Sequence, residues 1–441
     1  MINLLNGFKN KLFMQLPVAH ARRMLNNYQP LTRPILGRNR QLLVDVSVIV
    51  QSDARTGIQR VVRAVLSELQ SQLPWGFDLC PVFATKKQAY HYAGDFSEKL
   101  GLTRVTEKNC LVKTAPGDIF LGLDLAAHIL PRRTAQIERW KKNGVKMHVV
   151  VYDLLPLLSP EWFYKKTVSN FQRWLRTISV YADSMICISN TVRHDVERML
   201  GDSYSLAGAG APTTHVIRLG SDIEASLPSS GIAAEQRQLV DQLTKQPTIL
   251  VVGTLEPRKG HLDILHALEK LWQQNANVNL VFCGKPGWKT ELLQQKILQH
   301  TYLNQKLFWF SDCSDELLGE FYRKCRGVIV ASMGEGFGLP LVEAMRFSRA
   351  VLARDIPVFR EIAGNQVDYF VDSKPLAFSS TIQSWLEQAP EKEICRNFMS
   401  FTWRDTVRTL LSQIVSHDEV QRSHGYQSTA ISQLKVIDGK L

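Results

Sequence analysis

The chain has 441 residues, 45% hydrophobic and 21% charged, a balance that excludes fibrous and disordered classes and fits a soluble enzyme of two or three domains. No apolar run approaches the ~18 residues needed to cross a bilayer, and Met-Ile-Asn-Leu-Leu-Asn-Gly-Phe is broken by polar residues too early for a secretory signal. Seven scattered cysteines without a Cys-x-x-Cys argue against a disulfide framework or zinc site and predict a reducing cytoplasm.

The net charge of +12 is concentrated at the start. Residues 1–44 contain no acid but carry Lys9, Lys11, Arg22, Arg23, Arg33, Arg38 and Arg40. Ile2, Leu5, Phe8, Leu12 and Leu16 recur at helical spacing beside Lys9 and Lys11, so this leader is either a basic amphipathic helix on an anionic membrane surface or a tail that packs on its own domain or stays disordered. No motif for binding nucleic acid accompanies it.

Beyond the leader, short apolar runs alternate with helical stretches, the pattern of parallel α/β sheets. The first domain, 45–220, has strand-like runs at Leu42–Val50, Phe77–Phe83, Asp118–Gly122, Val145–Tyr152, Ser184–Ser189 and His215–Leu219. Between them, Gly57–Gln72, Pro160–Tyr181 and Asn190–Leu200 read as helices. Arg60 and Arg63 fall in the first turns after Gly57, either reaching a phosphate or acceptor or forming a solvated face. Asp153 ends an apolar strand where an isolated buried carboxylate is costly, so it contacts substrate or caps a helix. Arg193 follows the next strand and is a candidate for acceptor or phosphate.

Residues 221–246 read as a connection, after which the alternation restarts in a second domain, 247–400. Its strand candidates are Thr248–Val252, Val278–Cys283, Leu307–Phe310, Val328–Ala331, Ala350–Ala353 and Tyr369–Val371. Residues 401–441 read as terminal helices that pack back on the first domain. In such doubly wound sheets ligands bind outside the carboxyl ends of the strands. There, Gly253-Thr-Leu-Glu-Pro-Arg-Lys-Gly260 places adjacent cations Arg258 and Lys259 in a loop between strand and helix. A departing nucleoside diphosphate develops negative charge, which a fixed cation can hold where no Asp-x-Asp motif supports a metal. The strand–turn–helix Val328–Met345 carries Glu335-Gly-Phe-Gly-Leu-Pro-Leu-Val-Glu343, with backbone N–H groups at a helix start. Gly336 and Gly338 there suit close approach of a ligand. The spacing fails the dinucleotide fingerprint.

Together these segments resemble the retaining GT-B glycosyltransferases of family 4. The family's Glu-x7-Glu motif is matched by Glu335 and Glu343, its basic pair by Arg258 and Lys259, and the following stretch by Asp355-Ile-Pro-Val-Phe-Arg-Glu-Ile-Ala-Gly364. The resemblance implies two Rossmann-like domains facing a cleft, a nucleotide-sugar donor as substrate, no cofactor and no metal. It implies that Glu343 accepts the donor ribose hydroxyls and that Glu335, with the N–H groups of Gly336, Phe337 and Gly338, meets the donor sugar. Arg258 and Lys259 would hold the leaving diphosphate, with Gly57, Gly253, Lys285 and Leu339 bordering the donor. Where relatives often have two glycines this chain has Thr56-Gly57, which leaves the path of that loop open. Tyr152-Asp-Leu-Leu-Pro156 and Gly284-Lys-Pro-Gly-Trp288 resemble bacterial enzymes that build surface polysaccharide. They imply mannose from GDP-mannose, a lipid-linked glycan acceptor, and Asp153 as a candidate catalytic residue beside Arg258, Lys259 and Glu335. A UDP- or dTDP-sugar donor, or a non-catalytic glycan-binding scaffold, is the alternative.

Overall fold

The computed structural model describes residues 16–28, 37–102, 109–206, 210–388 and 401–415. The first sheet contains β1 Arg40–Asp45, β2 Phe77–Phe83, β3 His91–Tyr92, β4 Ile119–Gly122, β5 Lys146–Val151, β6 Ser184–Cys187 and β7 Thr213–Val216. Its order is β3-β2-β1-β4-β5-β6-β7, parallel except for the short antiparallel edge strand β3. The second contains β8 Thr248–Val252, β9 Asn279–Cys283, β10 Leu307–Phe310, β11 Gly327–Val330, β12 Ala350–Arg354 and β13 Asp368–Phe370. Its order, β10-β9-β8-β11-β12-β13, is parallel throughout. Two parallel-sheet domains therefore face one another, each with helices on its sheet, which is the GT-B arrangement. Continuous burial of strands such as β9 and β11 follows from cover on both faces.

Each sheet reverses its winding direction next to its first strand, between β1 and β4 and between β8 and β11. Loops leaving the paired strands part there and open a crevice. The segments after β8 and β11 are those that carry Arg258, Lys259 and Glu335.

One expectation here needs correction. The run Leu42–Val50 is not one strand. Pairing ends at Asp45, whose Oδ1 accepts the Ser47 N–H at 2.9 Å, and the chain turns into a short helix, Ser47–Gln51. Part of the basic leader follows one of its alternatives and packs on its own domain. Ile2, Leu5, Phe8, Leu12, Lys9, Lys11 and Arg33 lie outside the described residues, but the helix Val18–Asn26 docks on the first domain with Val18, Ala21 and Arg22 buried. Arg22 donates from Nη1 to the carbonyls of Ser179 (3.1 Å), Val180 (3.2 Å) and Ala182 (2.8 Å), and from Nε to Gly210 (2.6 Å). Arg38 pairs with Asp118 at 3.2 Å, and Arg40 lies over the Phe77 ring within β1. Three of the seven leader cations thus serve the fold.

The connection 221–246 contains a helix, Ala234–Leu243, packed against the helix Asp315–Lys324 of the second domain. The helix Trp403–Ile414 returns to the first domain and packs on Gly57–Gln72, burying Trp403, Val407, Leu410, Leu411 and Ile414.

Candidate active site

The loop after β8 leaves the sheet through Gly253 (φ 138°) and Gly260 (φ 72°), with a single 3-10 turn, Pro257–Lys259, between them. A Cβ at Gly260 would stand 2.5 Å from the Ala331 carbonyl oxygen, so a glycine there lets this loop lie directly against the end of β11. That contact brings Arg258 and Lys259 to Glu335. Lys259 Nζ lies 2.5 Å from Glu335 Oε1, and Arg258 Nη1 lies 3.1 Å from Oε2 and donates to the Gly334 carbonyl at 2.8 Å. Ser332 Oγ donates to Glu335 Oε1 at 2.7 Å, and Arg258 Nη2 meets Glu256 at 2.9 Å. All four charged side chains are only 10–14% exposed.

Burial raises the proton affinity of Glu335, but Lys259 and Arg258 reverse this and hold its carboxyl down to about 2. The Arg258 guanidinium is desolvated too, yet Glu335, Glu256 and Asp153 push it further toward the charged form. Burial raises Glu256 and Asp153 above the ordinary carboxylate range, against the opposing pull of Arg258. Both cations are thus balanced by carboxylates within the fold.

Asp153 takes the helix-start role weighed for it and lies within the same group of charges. Its Oδ1 accepts the Leu155 N–H at 3.0 Å, starting the short helix Leu155–Leu158, while its charge is felt by Arg258, Lys259 and Glu335 across the cleft.

The helix Leu339–Arg346 begins at Gly338 (φ 103°), without a side-chain cap, and Pro340 is its second residue rather than its first. The reason for the two glycines differs from the expected approach of a ligand. A Cβ at Gly336 would collide with the Tyr152 carbonyl oxygen of the first domain at 1.8 Å, and one at Gly338 with the Phe359 ring at 2.7 Å. Phe337 is 3% exposed and belongs to the core. Gly284 and Gly287 likewise yield to the backbone of 253–255, while Lys285 between them is exposed. Gly57 opens its helix with Leu339 across the interface, 3.6 Å from where its Cβ would stand.

Glu343 lies one turn inside the helix, 2% exposed. One oxygen pairs with Arg60 of the first domain, and the other accepts the Tyr322 hydroxyl at 2.9 Å. Neither arginine of the first domain's helix is a solvated cation. Arg60 bridges Glu343 and Asp315, and Arg63 pairs with Asp53 at 2.8 Å. Arg193 is turned along its own helix toward Glu197, at 3.9 Å. The contact to the glycine-rich loop of the second domain comes instead from Ser189, whose Oγ donates to the Gly336 carbonyl at 2.8 Å.

Several participants escaped the sequence reading: Tyr322, Asp315, Glu256, Ser332 and Ser189. Glu361 is another, accepting Asn190 N–H at 2.6 Å and Thr191 N–H at 2.8 Å at the start of a first-domain helix. Tyr322 looks like one more core aromatic of an amphipathic helix, and nothing local marks its hydroxyl. Glu256, next to Arg258 in the same loop, was the one within reach. Among the described residues no cluster of three His, Cys, Asp or Glu could hold a metal ion.

Two doubly wound domains around this cleft define the GT-B class, and comparison with known proteins agrees. Residues 233–399 match the family described as glycosyl transferases group 1, so the chain carries a domain of that family. It is 38% identical over 380 residues to a serotype-specific mannosyltransferase WbdA of Escherichia coli, covering 85% of this chain and 46% of that protein. It is 23% identical over 246 residues to the O-antigen chain mannosyltransferase RfbU of Salmonella typhimurium, covering 55% and 61%. The chain thus spans less than half the length of the WbdA proteins it matches. Among solved structures it superposes on Anabaena HepE in complex with UDP-glucose, at TM-score 0.56 and 14% identity, covering 88% and 99% of the two chains. A sucrose-phosphate synthase from Thermosynechococcus elongatus gives TM-score 0.55 at 14% identity, covering 89% and 100%. These last two bear on the fold alone.

Proposed function

We propose that the chain is a retaining, metal-independent glycosyltransferase that moves mannose from GDP-mannose onto a growing, lipid-linked glycan of the surface-polysaccharide kind. The observation that carries this reading is the buried Lys259–Glu335–Arg258 group at the switch point of the second sheet, with Glu343 one helical turn beyond it. The choice of mannose is supported by relatives that are mannosyltransferases by name.

In this reading Glu343 accepts the ribose hydroxyls and Glu335 holds the sugar. Lys259 and Arg258 stabilise the charge that grows on the diphosphate as the bond from the anomeric carbon to the phosphate oxygen breaks. The acceptor hydroxyl adds to the same face and its proton passes to the departing phosphate oxygen, so configuration is kept without a covalent enzyme intermediate. Asp153, on the first-domain wall beside Arg258, orients the acceptor. The reaction would take place in the cytoplasm. The leader residues Lys9, Lys11, Arg23 and Arg33 would hold the enzyme to an anionic bilayer. Among the described residues no helix is long and apolar enough to cross a membrane.

Calorimetry with GDP, UDP, dTDP and ADP tests the donor assignment. GDP is expected to bind best, and Glu343→Ala is expected to weaken it by about 1.5–3 kcal/mol through loss of a charged acceptor. Unchanged affinity in that variant would remove the ribose role. Transfer is expected to continue in excess EDTA, and loss of activity restored by manganese or magnesium would overturn the metal-independent step.

A further inference from the structure

Arg60 stands in the first turn of Gly57–Gln72, a first-domain helix, yet both ends of its guanidinium land on the second domain. Nη1 meets Glu343 and Nη2 meets Asp315. Asp315 is itself fixed, accepting Ser229 N–H at 2.8 Å and Ser229 Oγ at 2.9 Å. With Tyr322 on its other oxygen, Glu343 has no side open to solvent. A forked guanidinium spanning two carboxylates is a strong and directional contact. At 14% exposure for Arg60, and 2% and 10% for its partners, salt screens it little.

We propose that Arg60 is an interdomain clamp that competes with the donor ribose for Glu343, so that the nucleotide binds only molecules in which this clamp has let go. The inference rests on the ribose role given to Glu343 above. With Tyr322 on Oε2, the ribose hydroxyls are left with Oε1, the oxygen that Arg60 holds and shields from solvent. Apparent affinity then falls by the fraction of molecules that are open, and weakening the clamp restores it. Arg60 is a positioning residue in this scheme. It sets when Glu343 is available and does not touch the reacting atoms.

The test is calorimetry on the full chain with two probes, GDP and inorganic pyrophosphate, which lacks a ribose. Arg60→Gln is expected to bind GDP about tenfold more tightly if roughly nine molecules in ten are clamped, with pyrophosphate affinity unchanged. Asp315→Asn keeps an acceptor for Ser229, removes the charge under one arm of the fork, and is expected to tighten GDP about threefold. It also covers the case in which Arg60→Gln, leaving Glu343 buried without its counter-charge, fails to fold. GDP affinity unchanged or lowered in the folded variants overturns the clamp. So does a loss of pyrophosphate affinity in Arg60→Gln, which would make Arg60 a phosphate contact. Glu343→Gln separates the two readings. If it leaves GDP affinity unchanged in both the wild-type and Arg60→Gln backgrounds, the ribose role fails and the clamp with it. If it weakens GDP while Arg60→Gln fails to strengthen it, the clamp alone is wrong.

Discussion

Glu335 has two partners that sequence marks, Arg258 and Lys259, and a third, Ser332, that it does not. Its pairing with Arg258 and Lys259 joins two short segments, each recognisable as a strand running into a charged turn. The clamp on Glu343 was not legible, because Arg60 meets partners 255 and 283 positions away and nothing near it names them. Gly336 was legible as a glycine that something approaches. The thing that approaches is the Tyr152 carbonyl, which no local rule supplies. The ionisation of Glu335 gives a test by pH. Its carboxyl is held to about 2 in the fold, below its unfolded value of 4.5. The charged pair therefore stabilises the protein fully above pH 4.5, and that contribution is lost as pH falls through 4.5 toward 2. Glu335→Gln is expected to unfold more easily than wild type at pH 7, by about 3 kcal/mol, with the gap closing in acid. Denaturant titrations at pH 7, 4 and 3 check this, and a gap that stays constant would mean that the charge is not what matters.

At the scale of elements, buried parallel strands announce themselves. β2, β8 and β10 stand where their largely apolar runs stop and start. The first run misled because its polar end, Asp45 and Ser47, marks a turn into a helix rather than continued pairing. The leader left alternatives open, and its described part packs on its own domain. Arg22 reads as one of many basic residues, but in the fold it collects carbonyls at the end of the helix Lys165–Tyr181, where unpaired oxygens and the negative dipole end meet. Burial makes its charged form harder to keep, and Asp183 nearby favours it. Arg22→Ala is expected to lower stability by about 3 kcal/mol, since each charge-assisted bond is worth roughly 1.5–3 kcal/mol and the exposed carbonyls regain some water. Chemical denaturation measures the loss, and a change below half a kcal/mol would return this helix to the surface.

For the whole molecule, the two facing sheets and the position of the cleft follow from the doubled alternation of strands and helices. The closed contact between the domains does not, because it depends on pairs such as Ser189 with Gly336 and Glu361 with Asn190. The chain also passes between domains twice, and the two passages are bonded to each other. Ser221 N–H donates to the Phe401 carbonyl at 3.0 Å, Trp403 N–H to Asp222 at 2.8 Å, and a Cβ on Gly220 would stand 2.4 Å from Trp403 N. A chain ended at residue 400 is expected to lose on the order of 5 kcal/mol from the first domain, since five apolar side chains of the helix Trp403–Ile414 leave its surface. Unfolding followed by a first-domain probe should shift to lower denaturant, and an unmoved transition would show that the helix is dispensable. The same seam constrains how this protein can be dissected. Proteolysis at the exposed Leu227–Pro228 step would not release two separate bodies, because the downstream fragment keeps a helix whose apolar side is seated in the upstream one. The fragments would co-elute as a nicked complex, and the second domain produced alone from that point would carry a greasy tail with nowhere to rest.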